Sequence, residues 1–375
     1  MQTAFVTGAT GFIGRHLVDR LVDRGCEVRC LVRPGSAPAA ATRPGVGLVT
    51  GTLDDDASYR HALVGCDVVY HLGGLVAATR KADLLRVNGT GTKRLADACC
   101  ALPRPPRVIF MSSLAAAGPT PRGRDLRDES DGSVWVSHYG ASKRAGEVAL
   151  QQRADRLRIT ILRPGIVYGP DDPKMAGLLQ AIRMTGIHFT VGFRTPPLSL
   201  IHVDDMVDLA CAAAERGETL DHDPAGGYSP SGYYLACDDR DHPTYGQFGR
   251  LVGRAIGRRV FVWPLWRWVG RLVGLAAETL FTPDGKGNLL SLDKIREATV
   301  RSWACSSAKA RAQLGFAPPS RLEDRLREMA ESLAARGRSR AAGHGSRTVA
   351  DAAATTRTRS QRRPRHRGRA GSPYS

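Results

Sequence analysis

The stretch TGATGFIG, residues 7–14, places three glycines at three-residue spacing (Gly8, Gly11, Gly14) directly behind the apolar run Ala4-Phe5-Val6. Few local patterns restrict a fold as strongly. A strand that turns tightly into a helix while pressing its backbone against a diphosphate needs glycine at each of these points. Gly8 supplies the positive φ of the turn, and Gly11 has no Cβ to hold a pyrophosphate away. Gly14 lets the helix pack close to the strand. The first amides of the helix then point at the anion. A glycine triplet alone is a common turn; the strand–turn–helix setting makes it a dinucleotide signature.

The rest of the chain extends that reading. Apolar runs EVRCLV, GLVTG, DVVYHL, RVIFMSS and RITILRP alternate with helical patterns such as LLRVNGTGTKRLADACCAL and YGASKRAGEVALQQRADR. Alternating strands and helices predict βαβ units and a doubly wound parallel sheet of Rossmann type, covered on both faces. After LRPGIVYGP the alternation becomes irregular. We therefore expect a dinucleotide-binding domain over residues 1–170, with 198–237 partly returning to it, a smaller α/β substrate lobe over 171–335, and a tail over 336–375.

The net charge of +18 looks like nucleic-acid binding until it is located. Residues 336–375 hold eleven arginines and one acid, which leaves +8 for the other 335 residues. This tail lacks apolar periodicity and is expected to be a disordered, solvated appendage rather than a specific nucleic-acid contact. The eight cysteines show no metal spacing and read as reduced apolar fillers. The chain starts in a strand, and no run of 18 uncharged apolar residues occurs, so a cytoplasmic protein without a spanning segment is expected. His202, Asp204 and Asp205 read as a helix cap and its first turn, not as a metal site.

A second signal carries chemistry. In HYGASKRAGE, Tyr139 and Lys143 stand four residues apart and share one helical face. A phenol titrates near pH 10 in water, and an adjacent ammonium favours its phenolate. The strand VIFMSS ends upstream with Ser112 and Ser113, whose hydroxyls would face the ligand crevice at the sheet's carboxyl edge.

Together, TGxxGxxG, the strand-end Ser-Ser, YGASK, LRPGIVYGP, HLGG (71–74), VNGTGT (87–92), IHVDD (201–205) and LGFAP (314–318) resemble the extended short-chain dehydrogenase/reductase family, over roughly residues 1–330. This is the NAD-dependent epimerase/dehydratase superfamily, and the motifs are most similar to its 3β-hydroxysteroid dehydrogenase and dihydroflavonol reductase-like branch. The resemblance implies that Tyr139 is the acid/base, that Lys143 binds the nicotinamide ribose and tunes the tyrosine, and that Ser113, the last hydroxyl before LAAAG, polarises the reacting oxygen. Asn88 would organise the site. The cofactor would lie against Thr7, Gly8, Thr10, Gly11, Phe12, Ile13 and Gly14, against Leu53, Asp54, Leu72 and Gly73, and against Pro164 and Ile166, besides Tyr139 and Lys143. A homodimer is a further implication.

At the end of the second strand an acid would bind a ribose 2′-OH, whereas an arginine favours a 2′-phosphate. CLVRPGS has Arg33 there, nineteen residues after Gly14, so NADP is the expected cofactor, with NAD as the alternative. Thr52 departs from the family's GDL pattern, which leaves the adenine contacts open. The expected reaction is hydride transfer between nicotinamide and a secondary alcohol or ketone, with a lipophilic, steroid- or terpenoid-like substrate. The rivals are a nucleotide-sugar 4-epimerase or dehydratase with tightly held NAD, and a non-catalytic dinucleotide sensor. WPLWRWVGRLVGLAAETL, residues 263–280, carries a wide apolar arc if helical. It is a lobe core helix, a wall for a lipophilic substrate or a peripheral membrane contact.

Overall fold

The computed structural model describes residues 2–36, 38–222, 228–266, 292–333 and 335. The chain opens with β1 (Thr3–Thr7), α1 (Phe12–Asp23), β2 (Glu27–Val32), β3 (Val46–Thr50), α2 (Arg60–Leu63), β4 (Val68–His71) and α3 (Lys81–Leu85). A π-helical stretch Arg86–Gly91 runs into α4 (Thr92–Cys100), followed by β5 (Arg107–Met111), α5 (Leu114–Ala117), α6 (His138–Gln151) and β6 (Ile159–Pro164). Then come β7 (Ile166–Tyr168), α7 (Pro173–Thr185), β8 (Ile187–Val191), β9 (Leu200–His202), α8 (Val203–Arg216), β10 (Tyr233–Ala236), α9 (Tyr245–Ala255) and β11 (Phe261–Leu265). Helices Leu292–Ala298 and Ala308–Leu314 follow. Residues 1–327 form one compact unit; the helical residues 328–333 belong to a second.

Seven parallel strands in the order β3-β2-β1-β4-β5-β6-β10 form the main sheet. Alternate residues serve opposite cores. On β1, Ala4 and Val6 join Leu17, Val18 and Leu21 of α1 and Met206, Leu209 and Ala213 of α8. Phe5 points the other way, into a core with Leu95 and Cys99 of α4 and Leu150 of α6. Covering on both faces is why these strands are unbroken apolar runs. All eight cysteines are free and buried.

Strand order reverses between β1 and β4, where Thr7 stands in register with His71. Ligands of open α/β sheets bind beyond the carboxyl ends of the strands at such a reversal. Two small parallel ribbons lie outside the main sheet: β7 with β9, and β8 with β11.

One expectation needs correction. Residues from Trp263 do not begin a helix, because Phe261–Leu265 is a strand paired with β8. Pro264 is compatible with this two-stranded ribbon, where an edge position needs no N–H. The remainder of the 263–280 stretch, from Arg267, lies outside the described residues, as does the tail from 336.

Candidate active site

The glycine turn forms a cradle. Gly8 has φ +76°, and a Cβ there would sit 2.7 Å from the Gly73 nitrogen, so only glycine lets the loop after β4 close against it. At Gly14 a Cβ would meet the Gly8 carbonyl at 2.1 Å. Gly11 caps α1 without any side-chain bond, and the first turn holds no acid. The first intrahelical bond is Arg15 N to Gly11 O, at 3.1 Å. The N–H groups of Phe12, Ile13 and Gly14 are therefore the helix's open donors, beside the exposed Thr10. An uncapped, acid-free helix end in a cradle that a Cβ would fill suits the diphosphate of an NAD-type dinucleotide.

The neighbouring expected residues fall into place unevenly. Leu53 reaches within 3.2 Å of where a Gly73 Cβ would be, which brings Leu53, Leu72 and Gly73 together beside Gly8. Asp54 pairs its carboxylate with Arg86 and lies 3.8 Å from Arg94. Arg33, one residue past β2, is exposed and has no carboxylate partner among the described residues. Pro164 ends β6, buried at the carboxyl edge, and Ile166 is exposed just beyond it.

Thr7 has a role that its sequence position did not reveal. Its hydroxyl accepts from Gly73 N (2.9 Å) and lies 2.7 Å from His71 Nδ1. On the other side, His71 Nε2 is 2.9 Å from the Thr92 hydroxyl, which itself donates to the Asn88 carbonyl at 2.7 Å. The Thr92 proton is thus engaged, so Nε2 must carry a hydrogen and Nδ1 must accept from Thr7. Burial, and secondarily Lys143, push His71 down to about 3, which keeps this neutral tautomer. The chain of bonds ties β1, β4 and α4 together under the crevice. Thr7 itself is fully buried, and its carbonyl accepts from Leu72 N at 3.2 Å.

The reactive groups meet at the end of β5. Ser113 caps α5, its hydroxyl accepting from Ala115 N at 3.1 Å, and lies near enough to the Tyr139 phenol to lower its pKa. Ser112 instead donates to Glu147, 2.5 Å away in the interior. The two adjacent serines are thereby sorted: Ser113 joins the tyrosine and Ser112 the core. Gly140 allows the meeting, because a Cβ there would strike the Ala115 carbonyl at 2.3 Å; at Gly146 one would strike the Asn88 carbonyl at 2.4 Å.

Tyr139 is half-buried. Burial pushes its phenol up to about 12, against the nearby Ser113 hydroxyl, which pulls it down, with Glu297 pushing it further up. Lys143 donates to the Met111 carbonyl at 2.6 Å and lies 4.3 Å from the centre of the Phe110 ring. Burial brings its ammonium down to about 8, opposed by the Glu147 carboxylate. Asn88 accepts from Leu75 N (2.8 Å) and donates to Leu75 O (2.8 Å) and to the Ser142 hydroxyl (2.9 Å). It holds the loop after β4 against α6 from within the π-helical stretch.

Two further groups escaped the sequence reading. Glu147, fully buried, takes a two-pronged bond from Arg163 (2.9 and 2.7 Å) and another from Arg144 (3.0 Å). It stands four residues beyond Lys143, a spacing that could have flagged it. Asp293 carried no local signal. Its carboxylate accepts from His138 N (2.8 Å) and Tyr139 N (3.0 Å), while Ser137 takes Gly140 N (3.0 Å). With Ala141 N bonded to Ser137 O at 2.9 Å, all four first-turn donors of α6 are satisfied. The next residue, Lys294, sets its ammonium 4.9 Å from the centre of the Tyr139 ring and bonds Glu297 at 2.7 Å. His202, as expected, caps α8 by accepting from Asp204 N at 3.3 Å. Among the described residues no cluster suited to a metal ion occurs.

The sequence profile of the NAD dependent epimerase/dehydratase family matches residues 4–225. A ceramide reductase of Caulobacter vibrioides is 36% identical over 200 residues, 53% of this chain and 57% of that protein. The chain thus spans little more than half of that relative's length. A dTDP-6-deoxy-L-talose 4-dehydrogenase (NAD(P)(+)) of Kitasatospora kifunensis is 29% identical over 86% of this chain and 93% of its own. Among solved structures, the UDP-glucose 4-epimerase of Thermus thermophilus in complex with NAD has a TM-score of 0.68 at 22% identity, covering 88% of this chain and 98% of that one. At that identity the likeness is one of fold.

Proposed function

The chain belongs to the NAD dependent epimerase/dehydratase family, and from that premise we infer that it is an NADP(H)-dependent oxidoreductase interconverting a ketone and a secondary alcohol on a lipophilic substrate. The observation that carries this reading is the Ser113–Tyr139 hydroxyl pair at the carboxyl edge of β5, with the Lys143 ammonium on the same helical face. The dinucleotide supplies the hydride donor or acceptor at its nicotinamide.

In the reducing direction Tyr139 gives its proton to the ketone oxygen as hydride reaches the carbon. A phenol near 12 holds that proton at neutral pH. The Ser113 hydroxyl steadies the same oxygen, and the Lys143 ammonium lowers the cost of the phenolate left behind. Glu147 keeps Lys143 charged inside the protein. Arg33, with no carboxylate partner among the described residues, supports NADP(H) over NAD(H). The name of the ceramide relative supports a lipid-like substrate; that of the talose relative supports the same redox chemistry on a nucleotide sugar.

The test is label transfer. The chain, given NADPH deuterated at the nicotinamide C4 and long-chain 3-keto amides or 3-keto steroids, is expected to return alcohols with one deuterium on the carbinol carbon. Tyr139→Phe is expected to bind NADPH unchanged and to lose about 10²–10⁴-fold in rate. Undiminished transfer by Tyr139→Phe removes that residue's role. Transfer only to dTDP- or UDP-linked keto sugars replaces the lipophilic substrate.

A further inference from the structure

The ribbon of β8 and β11 departs from the alternation of a surface sheet on its outer face. Such a sheet normally turns apolar residues to the core and polar ones to water. Here the inner face carries His188 and Thr190, both buried, in register with Val262 and Pro264. His188 Nε2 bonds the Tyr245 carbonyl at 3.1 Å, and its ring fills the space left by Gly249, where a Cβ would lie 2.2 Å away. The outer face carries Ile187, Phe189 and Val191, in register with Phe261, Trp263 and Leu265. Phe189, Phe261 and Trp263 are 54%, 63% and 51% exposed. Phe193 and Trp266, past the strand ends, meet edge-to-face at 5.3 Å and are exposed as well.

The surround is basic. Between Asp172 and Asp204, and again between Asp241 and Glu278, the sequence has no acid. Arg183 lies in the last turn of α7, Arg194 follows Phe193, and Arg258 and Arg259 lead into β11. None of these four has a carboxylate partner among the described residues.

We propose that the outer face of the β8–β11 ribbon docks on an anionic lipid bilayer, its aromatic residues entering the headgroup layer and its arginines meeting lipid phosphates. Exposed Phe and Trp rimmed by arginine match that boundary in polarity and sign. A second copy of this chain fits poorly: a two-fold contact would bring like-charged arginine rims together with no acid in either of the two segments. The surface also relates to the site. Helix α7 leads into the ribbon, and Lys174 in its first turn feels the charge of Lys294, whose ammonium lies over the Tyr139 ring. Thirteen residues of helix span about 20 Å, so a long-chain ketone would have a short path from bilayer to tyrosine. The docking claim itself does not depend on the substrate.

The experiment is co-sedimentation of the full chain with vesicles of phosphatidylcholine alone or mixed with phosphatidylglycerol. Binding to the anionic vesicles is expected. It should fall at least about tenfold in Phe189→Ser/Phe261→Ser/Trp263→Ser, with NADPH binding retained as the sign of an intact fold. Replacing Arg183, Arg258 or Arg259 by Gln should cost about fivefold each on anionic vesicles. If the triple variant does not fold, quenching of the unaltered chain by brominated lipid, reduced in Trp263→Phe, carries the test. Absence of vesicle binding by the unaltered chain overturns the proposal. So does equal binding by the folded triple variant, or binding that vanishes only when residues 336–375 are removed. A dimer dispersed by the triple variant, without vesicle binding, assigns the face to a second copy instead.

Discussion

Glu147 shows how much one buried side chain can settle. It receives Ser112, Arg144 and Arg163 at once and lies one helical turn beyond Lys143. Glu147→Gln leaves two guanidinium groups without a counter-charge and is expected to cost about 3–5 kcal/mol. Ser112→Ala, which removes one bond, should cost about 1 kcal/mol. Denaturant unfolding of both variants checks the ranking. Glu147→Gln should also move the Lys143 titration below about 8, because the carboxylate that favours its charge is gone. Lys143 has its own signature. Its folded value near 8 lies below the ordinary 10.5, so between those pH values the unfolded chain binds a proton that the folded chain does not. Stability from this group therefore rises with pH across the window, by about 3 kcal/mol in all. Comparing unfolding midpoints of the unaltered chain and Lys143→Met at pH 7 and pH 10 reads this out. The unaltered chain should gain on the variant as pH rises; no change would place the ammonium in water.

At the scale of elements, the site depends on how closely α6 approaches α5. Gly140→Ala would drive a methyl group into the Ala115 carbonyl and push Tyr139 away from Ser113. An overpacking cost of about 1–3 kcal/mol is expected, with a turnover loss larger than the loss in NADPH affinity. Asp293→Ala removes two of the three side-chain caps of α6 and should cost about 0.5–2 kcal/mol, measurable by chemical unfolding. These elements also mark what the sequence made legible. The glycine turn, the Tyr139–Lys143 spacing and the strand-end serines are local patterns, and each fell on its expected element. The choice of Ser113 over Ser112 came from family likeness; its physical reason, the burial of Ser112 on Glu147, needed coordinates. Asp293 and Lys294 stand more than 150 residues from Tyr139, so no spacing rule reaches them. Residues 261–265 alternate in burial as a strand does, but Trp263, Pro264 and Trp266 hid that period within an apolar stretch read as helix.

Over the whole molecule, the reversal of strand order lies within the seven-stranded sheet, and the aromatic β8–β11 ribbon lies outside it. The excess charge divides too: of the +18, +10 lies in residues 336–375. Removing that segment should leave NADPH affinity unchanged, since the cradle is built from residues 7–14 and the loop after β4. A drop in affinity on truncation would tie the tail to the cofactor. We propose NADP(H) as an exchangeable cosubstrate of the crevice. Identifying and counting the nucleotide released when the freshly purified chain is denatured tests it most directly. The account predicts a mostly empty site that refills from NADPH more tightly than from NADH. One NAD⁺ per chain, released only on denaturation, would contradict it and point to a retained, recycled cofactor.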